Sequence, residues 1–135
     1  MSEASDYVEN QILNCYLNQG DVTAPTAIYL GLHSADPTDD DGGEISGNGY
    51  ARVAITDKFD TASGAGADGT SLSSNADITG FTASGGDWAT VTHVGIHTAS
   101  ADGELLFHTP LASSVTVADG DSFQISSGNL TVTVA

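Results

Sequence analysis

The residues best suited to chemistry are four histidines, His33, His93, His97 and His108, and an acidic run, Asp36, Asp39, Asp40, Asp41 and Glu44. Carboxylates this dense are hard oxygen ligands for a cation, and Gly42 and Gly43 beside them allow tight turning. Asp36, Asp39 and Asp41 form the candidate cation site. Their spacing is not that of an EF-hand, so the competing reading is a solvated acidic loop. His93 and His97 stand four residues apart, which on a helix would chelate one ion. On a strand the same spacing separates them by about 13 Å, too far to share one. A histidine site would therefore have to be assembled across strands.

Other chemistry finds little anchor. Gly64 to Gly69 spells G-x-G-x-x-G, but a dinucleotide site needs that motif between a strand and a helix, and neither Asp60 to Ser63 before it nor Thr70 to Asn75 after it reads as either. No G-x-S-x-G elbow exists, and Cys15, the sole cysteine, has no adjacent histidine and can form no intramolecular disulfide. No carboxylate pair stands out from the many. No enzyme and no cofactor are expected. Trp88, the only tryptophan, lies at a loop-to-strand junction and is assigned to an interface. It is also the one side chain that could serve a carbohydrate- or receptor-binding module, the alternative function; its other reading is a core plug.

Charge narrows the field further. Eighteen acids oppose two bases, Arg52 and Lys58, for a formal net charge of −16 across 135 residues. Nucleic acid is excluded as a partner because phosphate contacts need Lys and Arg, and an anionic membrane surface is disfavoured likewise. The N-terminus has no basic n-region of the kind a signal peptide carries. Disorder, calcium binding and adaptation to high salt each account for acidity. Alternating strands argue against disorder, and scarce Lys with Asp spread from Asp6 to Asp121 favours high salt. In molar salt the screening length falls to about 3 Å, so a dense acidic surface stays tolerable.

The elements that would position these residues are mainly strands. Residues 5–19 read as one amphipathic helix, with Ser5 or Asp6 as N-cap, Gly20 as stop, and Val8, Ile12, Leu13, Tyr16 and Leu17 on one face. That stripe serves equally to pack under a sheet or to dock to a larger particle. Beyond Pro25 the period becomes two. Strands are expected at 26–33, 50–56, 76–82, 89–98, 104–108, 111–117, 121–126 and 130–135, with loops at 34–48 and 60–75. Along 89–98, Val91, His93, Gly95 and His97 should share one face. With closely spaced turns, this is an antiparallel β-sandwich, jelly-roll-like, with one N-terminal α-helix. The chain divides into a helix at 1–20 and a sandwich domain at 21–135, one structural unit.

Short blocks along this frame carry a resemblance. Tyr29 to His33 (YLGLH), Ala35 to Thr38 (ADPT), Gly49 to Val53 (GYARV), Val91 to Ile96 (VTHVGI), Leu105 to His108 (LLFH) and Asp119 to Asp121 (DGD) run in one order over nearly the whole chain. Together they resemble a family of small tailed-phage virion proteins usually labelled tail-fibre proteins, which also occur as capsid-surface components. The resemblance implies a non-enzymatic structural part of a virion. It would be a capsid decoration, turret, tail-fibre or baseplate component, and a trimer or pentamer bound to major capsid or tail proteins. It transfers no active-site residue. The acidity and the Asp39 to Asp41 run depart from the usual pattern, as a virus of a halophilic archaeon would require. Arg52, within one of these blocks, is expected to pair with an acid in the sheet or at a subunit interface, where a charge-assisted bond fixes register.

Overall fold

The computed structural model describes residues 3–60 and 71–134; the G-x-G-x-x-G stretch lies outside them. The described chain is mainly β with antiparallel pairing and one N-terminal helix, as the alternation requires. Strands β1 (Glu3–Ala4), β2 (Tyr29–His33), β3 (Val53–Ala54), β6 (Val91–His97) and β7 (Leu105–Val115) form a sheet in the order β1-β7-β6-β2-β3. Strand β4 (Ser71–Ser73) pairs with β9 (Thr131–Thr133), and β5 (Ile78–Thr82) with β8 (Ser122–Ile125), as two ribbons. Leu30, Leu32, Val94 and Ile96 of the sheet share one buried cluster with Ile78, Phe81, Phe123 and Leu130 of the ribbon half. This is a sandwich-like arrangement, with alternate residues of each strand turned inward.

Helix α1 (Asp6–Tyr16) starts where Ser5 accepts the Val8 amide at 3.4 Å, with Asp6 and Glu9 in its first turn. Ser5 is itself buried, its amide bonded to Leu106 O at 2.9 Å, which ties the helix entrance to β7. At the far end Gln19, not Gly20, takes the left-handed conformation, with φ 54°, and the Gly20 amide closes onto Asn14 O at 2.8 Å. No residue of α1 is buried.

Three features depart from expectation, besides β4, which falls within the stretch expected to be a loop at 60–75. The strands foreseen at 104–108 and 111–117 are one continuous β7 running through Pro110. Proline is confined to sheet positions where no ladder bond needs the amide hydrogen it lacks, and among the described residues β1 pairs with β7 only at Phe107 and His108. Pairing of β6 with β7 shifts register between Val91 and His93. The irregularity moves Val91 off the histidine face into the core, where it is fully buried. The third feature is the edge strand β1, which has too few residues to show a period.

Candidate functional site

The site lies on the sheet face away from the apolar core. Strands β2 and β6 pair so that Gly31 faces Gly95, with Leu30 opposite Ile96 and Leu32 opposite Val94. The leucines, valine and isoleucine therefore turn one way, and the glycines and His33 and His97 the other. Each histidine stands two residues beyond its glycine, on opposite sides of the glycine pair, and both rings lean inward over it. They stack with centroids 5.6 Å apart and planes inclined by 12°. Absent side chains make the room. A Cβ at Gly31 would stand 2.8 Å from His97 Cε1 and 2.8 Å from Glu44 Oε2, and one at Gly95 would stand 3.0 Å from His33 Nε2.

Over the histidines folds the acidic loop. It is closed by a bridge between His33 and Glu44 and by Ser34 N bonding Gly43 O at 2.9 Å. Asp41, at φ 57° in the left-handed region that Asp tolerates, brings Oδ1 to 2.8 Å from His97 Nε2 and 3.8 Å from His33 Nε2. Both imidazoles are fully buried. The Gly42 carbonyl can only accept, so the 2.9 Å contact with it puts the proton of His33 on Nδ1. By the same logic His97 carries its proton on Nε2, facing the Asp41 carboxylate. Two buried ring nitrogens then have no hydrogen-bond partner, His33 Nε2 and His97 Nδ1. Burial lowers the pKa of His33, and the neighbouring His97 adds to this; the Gly42 bond opposes it without reversing it.

Beside the histidines runs an ion-pair network. Arg52 binds Glu44 through two parallel bonds, Nε to Oε2 at 2.8 Å and NH2 to Oε1 at 2.9 Å. Its NH1 group donates to the Ala99 and Asp102 carbonyls at 2.9 and 2.8 Å, in the turn between β6 and β7. NH2 also faces Asp41 Oδ2 at 3.6 Å. The Tyr50 hydroxyl donates to Glu44 Oε2 at 2.7 Å and accepts the Leu32 amide at 3.0 Å. Burial alone would raise the Glu44 pKa, but the Arg52 and Tyr50 bonds outweigh it and hold the carboxyl below its ordinary range. Burial would likewise lower Arg52, and Glu44 reverses that.

Several expected site residues fall elsewhere. Asp36, Asp39 and Asp41 turn to three different partners. Asp36 Oδ1 accepts the Thr38 amide at 3.0 Å and faces His108 Nδ1 at 3.6 Å. Asp39 Oδ1 accepts the Asp6 amide at 2.9 Å, at the helix N-terminus. Only Asp41 joins the histidines. Among the described residues, His33, Asp41 and His97 form the group whose donor atoms all lie within 4.8 Å of one another. The Arg52 side chain is 6% exposed, and the bonds given above all close within the chain. Trp88 too is turned inward. It is 5% exposed, its Nε1 donates to Asn48 O at 2.9 Å, and it meets Tyr50 edge-on at 5.5 Å. A ring so enclosed offers no stacking platform to a sugar. Sequence reasoning missed Glu44 as the partner of Arg52 and Tyr50 as a second donor to Glu44, and missed the pairing of His33 with His97. The repeated Gly-x-His of Gly31-Leu32-His33 and Gly95-Ile96-His97 was the available signal.

A second feature is an open groove along α1, lined by Tyr7, Ile12, Cys15, Tyr16, Val22 and Leu106. Leu13 is 52% exposed, and Tyr16 and Leu17 are each 78% exposed. No described helix is long and apolar enough to cross a membrane.

No curated protein matches the chain. The family described as podophage GP4 fiber I protein gp80 matches residues 3–133. The match runs from the edge strand ahead of α1 to the last strand, taking in the glycine–histidine face and the Arg52 network. The chain therefore belongs to the podophage GP4 fiber I protein gp80 family and is a virion-associated structural protein.

Proposed function

We propose that the protein is a non-enzymatic fibre component of a halophilic tailed virus, built as a homo-oligomer whose copies meet through α1. The family match over residues 3–133 carries the fibre reading, and the −16 charge supports life in brine. The helix supports self-association. Copies this acidic repel one another wherever carboxylates face, so the contact of least repulsion is an apolar one. Leu13, Tyr16 and Leu17 supply such a face with no described partner in their own chain. A trimer or pentamer about one axis would cover it, and major capsid or tail proteins would take up the assembled ring.

The mass in solution tests this. In molar potassium chloride, light scattering should give an oligomer. Leu13→Asp with Tyr16→Asp should give a folded monomer, because each buried side chain of this kind is worth about 1.5–3 kcal/mol. Association should weaken by about a hundredfold or more. A wild-type monomer, or an oligomer indifferent to both changes, contradicts the reading.

A further inference from the structure

A buried imidazole nitrogen with no partner costs stability unless something is there to meet it. His33 presents one: with Nδ1–H held by the Gly42 carbonyl, Nε2 carries a bare lone pair, 3.8 Å from Asp41 Oδ1. A backbone carbonyl that fixes the tautomer so that the other nitrogen is free is the usual outer support of a metal-binding histidine. The geometry points to a divalent transition-metal site made by His33 Nε2, Asp41 Oδ1 and His97 Nε2.

Distances fit such an ion. Bonds of about 2.0–2.1 Å around a tetrahedral centre hold donor atoms about 3.3 Å apart. Here Asp41 Oδ1 stands 2.8 Å from one histidine nitrogen and 3.8 Å from the other, and all three donors lie within 4.8 Å of one another. Shifts of about one ångström or less, on a loop carboxylate and two rings, would close the set. Two imidazoles and one carboxylate suit zinc, cobalt or nickel better than calcium or magnesium, which take oxygen ligands.

Binding also resolves the second orphan. As His97 Nε2 gives its lone pair to the ion, the ring proton passes through solvent to Nδ1, with no net change in protons. Glu44 Oε2 is then the nearby acceptor: it and Nδ1 lie 2.8 and 3.1 Å from the same point above Gly31. Charge permits the ion. Arg52 is matched by Glu44 and approaches only the other oxygen of Asp41, at 3.6 Å. The Asp41 side chain is 25% exposed, which leaves an entry route and a fourth position for water. Once filled, the site would pin the acidic loop to β2 and β6 together.

Cobalt titration of the chelator-stripped full chain tests the site, in molar sodium sulfate because chloride competes for the ion. One ion per chain should bind, with the intense visible absorption of a tetrahedral centre, and zinc should displace it. Paramagnetic shifts should fall on the rings of His33 and His97 and spare His93 and His108. Asp41→Asn should weaken binding by more than the about 10–100-fold that loss of an outer support costs, while Asp39→Asn leaves it unchanged. No stoichiometric binding, undiminished binding in Asp41→Asn, or shifts centred on His108 beside Asp36 would each overturn the assignment. The ring shifts decide the matter even if Asp41→Asn fails to fold.

Discussion

Replacing Trp88 by alanine is expected to remove about 3–5 kcal/mol of stability, the range for emptying a large aromatic from a core. Against a total of about 5–15 kcal/mol, that leaves a marginal fold. The indole meets Tyr50 edge-on, belongs to the cluster that holds Phe81 and Val91, and satisfies the Asn48 carbonyl through Nε1. Asn48 also donates through its side chain to Asp87 O at 2.9 Å, so the indole helps join two loops. Trp88→Phe separates the two contributions. It restores most of the apolar volume and removes one of the two bonds that the Asn48 carbonyl accepts, leaving the Ser84 amide at 2.8 Å, and should cost about 0.5–1.5 kcal/mol. Denaturant midpoints of both variants in high salt would check this. If Trp88→Ala unfolded at the wild-type midpoint and lost binding to a glycan array, the residue would be a sugar platform and its assignment to the core mistaken.

Arg52→Ala should cost about 3 kcal/mol, the lower end of what breaking a buried ion pair costs, since Glu44 retains some access to water. The loss has two parts. Glu44 keeps its charge with only the Tyr50 hydroxyl to stabilise it, and the Ala99 and Asp102 carbonyls lose the donor that closes the β6–β7 turn. Lysine should recover little, because a single ammonium cannot make the parallel pair and reach both carbonyls. Adding Glu44→Gln to Arg52→Ala should restore part of the loss by removing the orphaned charge, a coupling that a double-mutant cycle reads directly. Additive effects of the two substitutions would mean that the bonds seen between them contribute nothing.

How far the sequence revealed this molecule depends on the range of each interaction. Strands β2, β6 and β8 were legible because alternation is local: Leu30 and Leu32, or Val94 and Ile96, announce a face by themselves. So was α1, through Ser5 and its apolar stripe. The fate of that stripe was not legible, since burial beneath a sheet and contact with another molecule demand the same residues. Val91 was assigned to the wrong face because one extra residue at a bulge inverts every later position, and no local signal marks it. Pro110 suggested a break, but β7 runs on through it.

The candidate site was the least legible part. His93 and His97 drew notice through their spacing along one strand, whereas the histidines that meet are His33 and His97. Their encounter depends on the register that sets Gly31 against Gly95, 64 positions further along the chain. Of the acids, Asp41 was grouped with Asp36 and Asp39. The neighbours that matter to it are the two rings and Arg52, which the fold brings from other strands.

Cryo-electron microscopy of intact particles would show whether copies of this acidic β-sandwich meet in a fibre through the exposed apolar face of α1. Density for the fold should appear in a fibre, repeated about one axis, with Leu13, Tyr16 and Leu17 covered by a neighbouring copy. Particles that lack the chain, or copies joined through carboxylate-rich loops while α1 stands open to solvent, would contradict that arrangement.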